Sequence, residues 1–282
     1  MEIISSIQEM KARSLDALKK GISIGFAPTM GYLHEGHLSL FKKCRAENDL
    51  VIASIFVNPI QFGPQEDLVK YPKDLEGDKK KLASEGVDIL FLPSQDDLYP
   101  KDFKTVVNIG EISEKLCGQS RPTLFKGAAT VVLKLLNIVQ PQKAYFGEKD
   151  WQQLAVIEAL VEDLNLDIAL IRVPIVREAD GLAMSSRNCY LSPQDRITAL
   201  SLSRSLKQAV DVIRQGTTSS KVISHLIQQC LLEKGGLEID YISICDPKSF
   251  KEKEQICGRT LIALAVKIGE SRLIDNCVIE EF

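Results

Sequence analysis

The sequence predicts an α/β protein: a Rossmann-like, doubly wound parallel sheet followed by a smaller C-terminal α+β domain. Three observations predict it. Short continuous apolar runs such as "GISIGFAP" (21–28) and "LVIASIFV" (50–57) are rich in β-branched residues, as in strands buried on both faces. Stretches with helical apolar spacing alternate with such runs as far as residue 176. The pattern then changes at "READGLAMSSRNCYLSPQDR", which has no period and carries turn residues. The boundary is therefore drawn there, giving domains at 1–176 and 177–282.

The elements follow in order. "HEGHLSLFKKCRAEN" (34–48) sets Leu38, Leu40 and Phe41 at near-helical spacing between the first two strands, which makes a β-α-β unit. "LEGDKKKLASEG" (75–86) reads as a helix closed by Gly86, and "VDILFLP" (87–93) as a strand. The apolar helix "AATVVLKLLNIVQ" (128–140), strand "KAYFG" (143–147), helix "DWQQLAVIEALVEDL" (150–164) and strand "LDIALIRVPIV" (166–176) complete the first domain. In the second, two amphipathic helices (193–216 and 219–236) precede three strand-like runs (237–246, 259–269 and 271–279), the first helix being opened by Ser192-Pro193.

Bulk properties narrow the function classes. The chain has 282 residues and a net charge of −3, which gives no support for nucleic acid or an anionic membrane as the main partner. The start "MEIISSIQEMKARSLDALKK" has no long apolar core, so it is not a secretory signal. No run reaches the roughly 18–20 unbroken apolar residues of a spanning helix. A cytoplasmic location is expected. The seven cysteines include no C-x-x-C pair, which fits free thiols and neither a disulfide frame nor a zinc site.

Neither the phosphate loop G-x-x-x-x-G-K-[ST] nor the turn G-x-G-x-x-G is present. Four other clusters carry chemistry. In "PTMGYLHEGHLSL" (28–40) stand two of the three histidines, His34 and His37. With the strand ending at Ala27 and a helix starting near Gly36, both imidazoles fall at a helix N-terminus, where anions are favoured. Gly36 between them lets a ligand approach the backbone. The pair can donate to phosphate oxygens; a capping histidine with a chance neighbour is the bland alternative. "FGEKDWQQL" (146–154) places Lys149 at the next helix start with Gln153 one turn on, or else is a solvated charged turn. "GLAMSSRNCYL" (181–191) offers Met184, Ser185, Ser186 and Arg187, donors suited to phosphate, or is an ordinary linker. "FVNPIQFGP" (56–64) carries Asn58 and Gln61, amides that suit a polar organic substrate, or is a plain Asn-Pro turn. All four fall at strand ends on one edge of the expected sheet.

Together these blocks carry a resemblance. "PTMGYLHEGHLSL" resembles the HIGH-type motif of the nucleotidyltransferase superfamily in the form found in pantothenate synthetases. "FVNPIQFGPQEDLVKYPKD", "GAATVVLKLLNIVQPQKAYFGEKDWQQL" and "VREADGLAMSSRN" are similar to that family's other blocks, in the same order. The likeness is strongest over residues 20–195. It implies ATP-dependent ligation of pantoate to β-alanine through an acyl-adenylate, with AMP and pyrophosphate released, Mg²⁺ on the phosphates, and a homodimer. By this resemblance His34 and His37 contact the triphosphate, His37 as proton donor. Lys149, Ser185, Ser186 and Arg187 stabilise the phosphorus and the leaving pyrophosphate. Pro28, Met30 and Gly31 line the nucleotide cleft with Gly36 and Met184, and Gly147, Glu148, Asp150 and Val176 lie near the adenosine. Gln61 and Gln153 hold pantoate, with Asn58 beside them, and Gln61 also touches the β-alanine site. Asp78 is the metal-side carboxylate. The chain departs from the pattern in three places. Leu124 stands where the family often has histidine, Gly77 where it commonly has a second acid, and Trp151 where tyrosine is commoner. Rival readings are a nucleotidyltransferase acting on a phosphate-bearing substrate and a non-catalytic nucleotide-binding scaffold.

Overall fold

The computed structural model describes residues 1–64 and 66–280. In chain order the first part runs β1 (Glu2–Ile4), α1 (Ile7–Lys19), β2 (Ile24–Thr29), α2 (Glu35–Glu47), β3 (Leu50–Ile55), α3 (Leu75–Ser84), β4 (Ile89–Phe91), α4 (Gln95–Leu98), α5 (Cys117–Ser120), α6 (Leu124–Val139), β5 (Lys143–Gly147), α7 (Trp151–Asp163) and β6 (Ala169–Val173). The second part is α8 (Pro193–Arg214), α9 (Ser220–Leu232), β7 (Glu238–Cys245), β8 (Thr260–Ile268) and β9 (Ser271–Ile279).

The six strands β1–β6 form one parallel sheet in the order β1-β4-β3-β2-β5-β6. From β2 the chain winds one way to β3 and β4, then returns to the other side of β2 to lay down β5 and β6. The winding reverses between β2 and β5, and in an open α/β sheet the crevice beyond the strand ends at such a reversal receives the ligand. Both faces are covered. Ile24, Phe26 and Ile52 pack with α6 and α7 on one side, and Ala27, Val51 and Ala53 pack with Leu40, Phe41 and Leu82 on the other. That double burial is why these strands read as unbroken apolar runs.

The C-terminal part packs α8 and α9 on an antiparallel β7-β8-β9 sheet around Leu202, Leu206, Ile227 and Leu264. Trp151 joins the two parts. It is buried with Cys245, Phe250 and Leu261, and its indole N–H donates to Pro247 O at 2.9 Å.

The first twenty residues, to which no element is assigned from the sequence, form β1 and α1. Three residues are too few for a strand period to be visible, and β1 is fixed by pairing with β4. Ser6 caps α1, accepting from Glu9 N–H at 3.3 Å. Strand β2 runs two residues past Ala27, to Thr29, and α6 begins at Leu124, before the apolar run at 128. Among the described residues no helix is long and apolar enough to cross a membrane.

Candidate active site

The histidine turn leaves the end of β2 through two successive left-handed residues, Gly31 (φ +83°) and Tyr32 (φ +52°). His34 is the N-cap of α2 and His37 its third residue, so the helix starts one residue before the Gly36 expected above. The His37 N–H donates to His34 O at 2.8 Å, and His34 N–H donates to His37 Nδ1 at 3.3 Å. Accepting at Nδ1 fixes the neutral His37 ring as the Nε2–H tautomer, which leaves a donor free. His34 Nδ1 is buried and finds no hydrogen-bond partner among the described residues. The ring centroids are 4.1 Å apart. A Cβ on Gly36 would sit 3.0 Å from His34 Cε1 and Nδ1. The glycine therefore makes room for an imidazole of this chain, a more specific reason than ligand access.

Electrostatics follow from that packing. Burial, and then the Lys149 ammonium, pull His34 down to about 4; burial, and then His34 beside it, pull His37 down to about 3. Both rings are neutral near pH 7. Desolvation opposes ionisation of Asp150, yet Lys149 next to it holds its carboxyl below the usual carboxylate range. Lys149 lies in the turn between β5 and α7, with Nζ 3.3 Å from Asp150 Oδ1. The turn is held from the C-terminal part, because Asn276 Nδ2 of β9 donates to Glu148 O and Lys149 O at 3.0 and 2.9 Å.

A cavity of about 210 Å³ opens at the β2/β5 reversal. Of the residues singled out in the sequence, Pro28, Met30, His34, Gly36, His37, Asn58, Gln61, Gly147, Lys149, Asp150, Gln153, Val176, Met184, Ser185, Ser186 and Arg187 all line it. A larger cleft of about 1140 Å³ between the two parts of the chain shares Met30, Gln61, Lys149, Gln153 and Arg187 with it. Leu124 lines this larger cleft, so an apolar side chain occupies the place of the family histidine.

Three of the expected residues lie elsewhere. Gly31 shapes the turn behind the cavity. Glu148 lines neither cavity and contributes its carbonyl to Asn276. Asp78, expected on the metal side, also lines neither: it is 1% exposed, and its two oxygens accept from Tyr32 N–H and Leu33 N–H at 2.7 Å each. The local reason is its place on α3, which packs behind the histidine turn.

Two further side chains are already engaged. Asn58 is 1% exposed; its Nδ2 donates to Gly127 O and Gln61 Oε1, and its Oδ1 accepts from Tyr99 OH at 2.9 Å. It thereby orients the Gln61 amide. A Cβ on Gly127 would lie 2.5 Å from Gln61 Cα, so α6 also braces this turn. Arg187 is bound bidentately by Asp67 at 2.8 and 2.9 Å, with its guanidinium 5.9 Å from the Tyr71 ring centre. Tyr99, Tyr71, Asp67 and Asn276 were not singled out in the sequence. Asp67 and Tyr71 lie inside the quoted block "FVNPIQFGPQEDLVKYPKD", whereas Asn276 gives no local signal.

A parallel sheet whose winding reverses above paired neutral imidazoles, a lysine turn and two cavity-facing amides has the architecture of an α/β enzyme with its site at the strand ends. The chain belongs to the pantoate–beta-alanine ligase family, whose model matches residues 2–278, and it is a ligase. It is 52% identical to the pantothenate synthetase of Caldicellulosiruptor bescii over 280 residues, covering 99% of each chain. It is also 52% identical to that of Heliobacterium modesticaldum, covering 99% of this chain and 100% of the relative. Its fold superposes on the crystal structure of pantothenate synthetase from Thermus thermophilus with a TM-score of 0.92 at 42% identity, covering 98% of this chain and 99% of that one. The Francisella tularensis pantoate–beta-alanine ligase, described as complexed with beta-gamma ATP and beta-alanine, matches with a TM-score of 0.79 at 38% identity, covering 99% and 97%.

Proposed function

We propose that the chain joins pantoate to β-alanine at the expense of ATP, through a pantoyl-adenylate formed at the histidine cavity. One observation carries the reading: in a chain of this family, His34, His37, Lys149, Gln61 and Gln153 converge on one cavity at the reversal of the sheet. A pantoate carboxylate oxygen attacks the α-phosphorus of ATP, and the bond to the bridging oxygen of pyrophosphate breaks. The β-alanine amine then attacks the acyl carbon. The C–O bond to AMP breaks, the amine proton is lost, and pantothenate and AMP leave.

The residues act by position and charge, with no covalent nucleophile. Gln61 and Gln153 hold pantoate by its hydroxyls. His37 donates from Nε2 to a phosphate oxygen, and the Lys149 charge offsets what develops on the phosphates. Protonating His37 would set an Nδ1–H against the His34 N–H it now accepts, so the ring acts as a neutral donor whose Nε2–H bond to the departing pyrophosphate strengthens as charge develops there. Ser185 and Ser186 add hydroxyls. Arg187 joins them by exchanging the Asp67 carboxylate for phosphate oxygens of the same planar fit. Residues 1–176 bind the substrates, and 177–282 cover the cleft and keep water from the adenylate.

Among the described residues no group of three or more histidines, cysteines or carboxylates could hold a metal ion. Asp150, ionised and on the cavity wall, is the oxygen donor that suits Mg²⁺ there, with phosphate and water supplying the other positions. The ion would neutralise triphosphate charge. The family likeness further supports a homodimer in the cytoplasm.

The test is product analysis with ATP, pantoate and β-alanine. AMP and pyrophosphate should appear in steady turnover only when both co-substrates are present. A stable dinucleotide-like product would contradict the reading.

A further inference from the structure

The two glutamines, the lysine and the histidines account for the cavity wall, but not for a buried carboxylate that touches no cavity. Asp78 on α3 spends both oxygens on successive backbone N–H groups, those of Tyr32 and Leu33, at 2.7 Å each. The preceding N–H, of Gly31, donates to Thr29 Oγ1 at 3.2 Å. One helical turn beyond Asp78, Lys81 Nζ donates to Leu33 O at 2.7 Å. The side chains of α3 thus hold both the N–H and the C=O of Leu33, the residue before His34. The fit is close: a Cβ on Gly31 would come within 3.1 Å of Asp78 Oδ2.

The segment so held is the one most in need of support. Tyr32 has φ +52°, a left-handed conformation that strains a non-glycine residue. Charge-assisted bonds to a buried carboxylate are about twice as strong as neutral ones and can offset that strain. From Leu33 the chain passes directly into His34, whose backbone N–H in turn sets the His37 ring. The direction of both imidazoles therefore depends on the turn, and the turn on α3.

We infer that Asp78 and Lys81 form a brace that positions the His34–His37 pair for adenylate formation, Asp78 acting through the backbone and not as a metal ligand. This rests on the proposed ligase reading. Both are positioning residues, since neither touches substrate.

The first variant is Asp78→Asn, which keeps the shape but offers one acceptor and one donor to two N–H groups. Pantoyl-adenylate formation should slow by about 10–100-fold, the scale of a misplacement near 1 Å. The attack of β-alanine on supplied adenylate should keep its rate, and the Mg²⁺ concentration for half-maximal rate should stay where it is. The chain has three histidines, so imidazole nitrogen NMR resolves each. Signals of His34 and His37 should move in the variant while His225, on α9, keeps its own. This readout needs no turnover, so it stands even if the wild-type chain makes no pantothenate, which would refute the ligase reading alone.

Unmoved His34 and His37 signals, or an unchanged first step, would overturn the inference. So would an equal loss in both steps, which means general damage, or a raised Mg²⁺ requirement rescued by excess metal, which means a ligand. Should Asp78→Asn fail to fold, Lys81→Ala carries the same measurements, with the same signals moving and a smaller loss in the first step.

Discussion

Lowering the pH should destabilise this protein through its two active-site imidazoles. In the folded chain His34 and His37 hold pKa values of about 4 and 3, against 6.5 for a free ring. Between pH 8 and 7.5 the rings are mostly neutral in both folded and unfolded chains, and stability is nearly level. Below that the unfolded chain takes up protons that the folded rings refuse, so stability falls until the folded rings themselves titrate. At pH 5.5, about one unit below the free value, each refused proton is worth about 1.4 kcal/mol, or about 3 kcal/mol for the pair. Water reaching these half-buried rings reduces the figure, and a loss of about 1–3 kcal/mol between pH 8 and 5.5 is expected. Carboxylates stay mostly ionised over this window. The assay is urea unfolding at several pH values for the wild type and for the double variant His34→Gln, His37→Gln. The difference between the two stabilities should shrink or change sign by that amount as the pH falls. Parallel pH curves for the two proteins would refute the argument that burial keeps the pair neutral.

Three other outcomes follow from the geometry. His37→Ala should lower the rate of adenylate formation by on the order of 10²-fold or more, the scale of removing a transition-state donor, read by rapid-quench analysis with pantoate and ATP. Gly127→Ala forces a methyl group to within 2.6 Å of Gln61 N; unfolding should show a loss of about 1–3 kcal/mol, with a raised KM for pantoate as Gln61 shifts. Tyr99→Phe removes the hydroxyl that holds Asn58 Oδ1. Initial rates should show a several-fold higher KM for pantoate, the scale of about 1 kcal/mol for one hydrogen bond, with little change in the KM for ATP.

The parallel sheet was legible because its strands are buried on both faces, and apolar runs such as Val51–Ile55 report that directly. β1 was not, because its three residues are held by β4 and by no pattern of their own. The histidine, lysine and glutamine positions were legible for a topological reason: each follows a strand, and all strand ends of a parallel sheet lie on one edge. Contacts made across the fold were hidden. Asp78 read as the metal-side carboxylate from its place in the family pattern, whereas its partners are backbone groups 45 and 46 positions away. Arg187 read as a free phosphate clamp, and its pairing with Asp67, 120 residues away, has no local signature. Asn276 reaches the lysine turn from the last strand, across 127 positions.

The central claim is an acyl-adenylate, and the fate of one oxygen tests it most directly. Pantoate labelled with ¹⁸O in its carboxylate is turned over with ATP and β-alanine, and the products are weighed by mass spectrometry. The account predicts one ¹⁸O atom in each AMP formed, because the carboxylate oxygen that attacks phosphorus leaves with it. Label in inorganic phosphate alongside ADP, or unlabelled AMP, would contradict it.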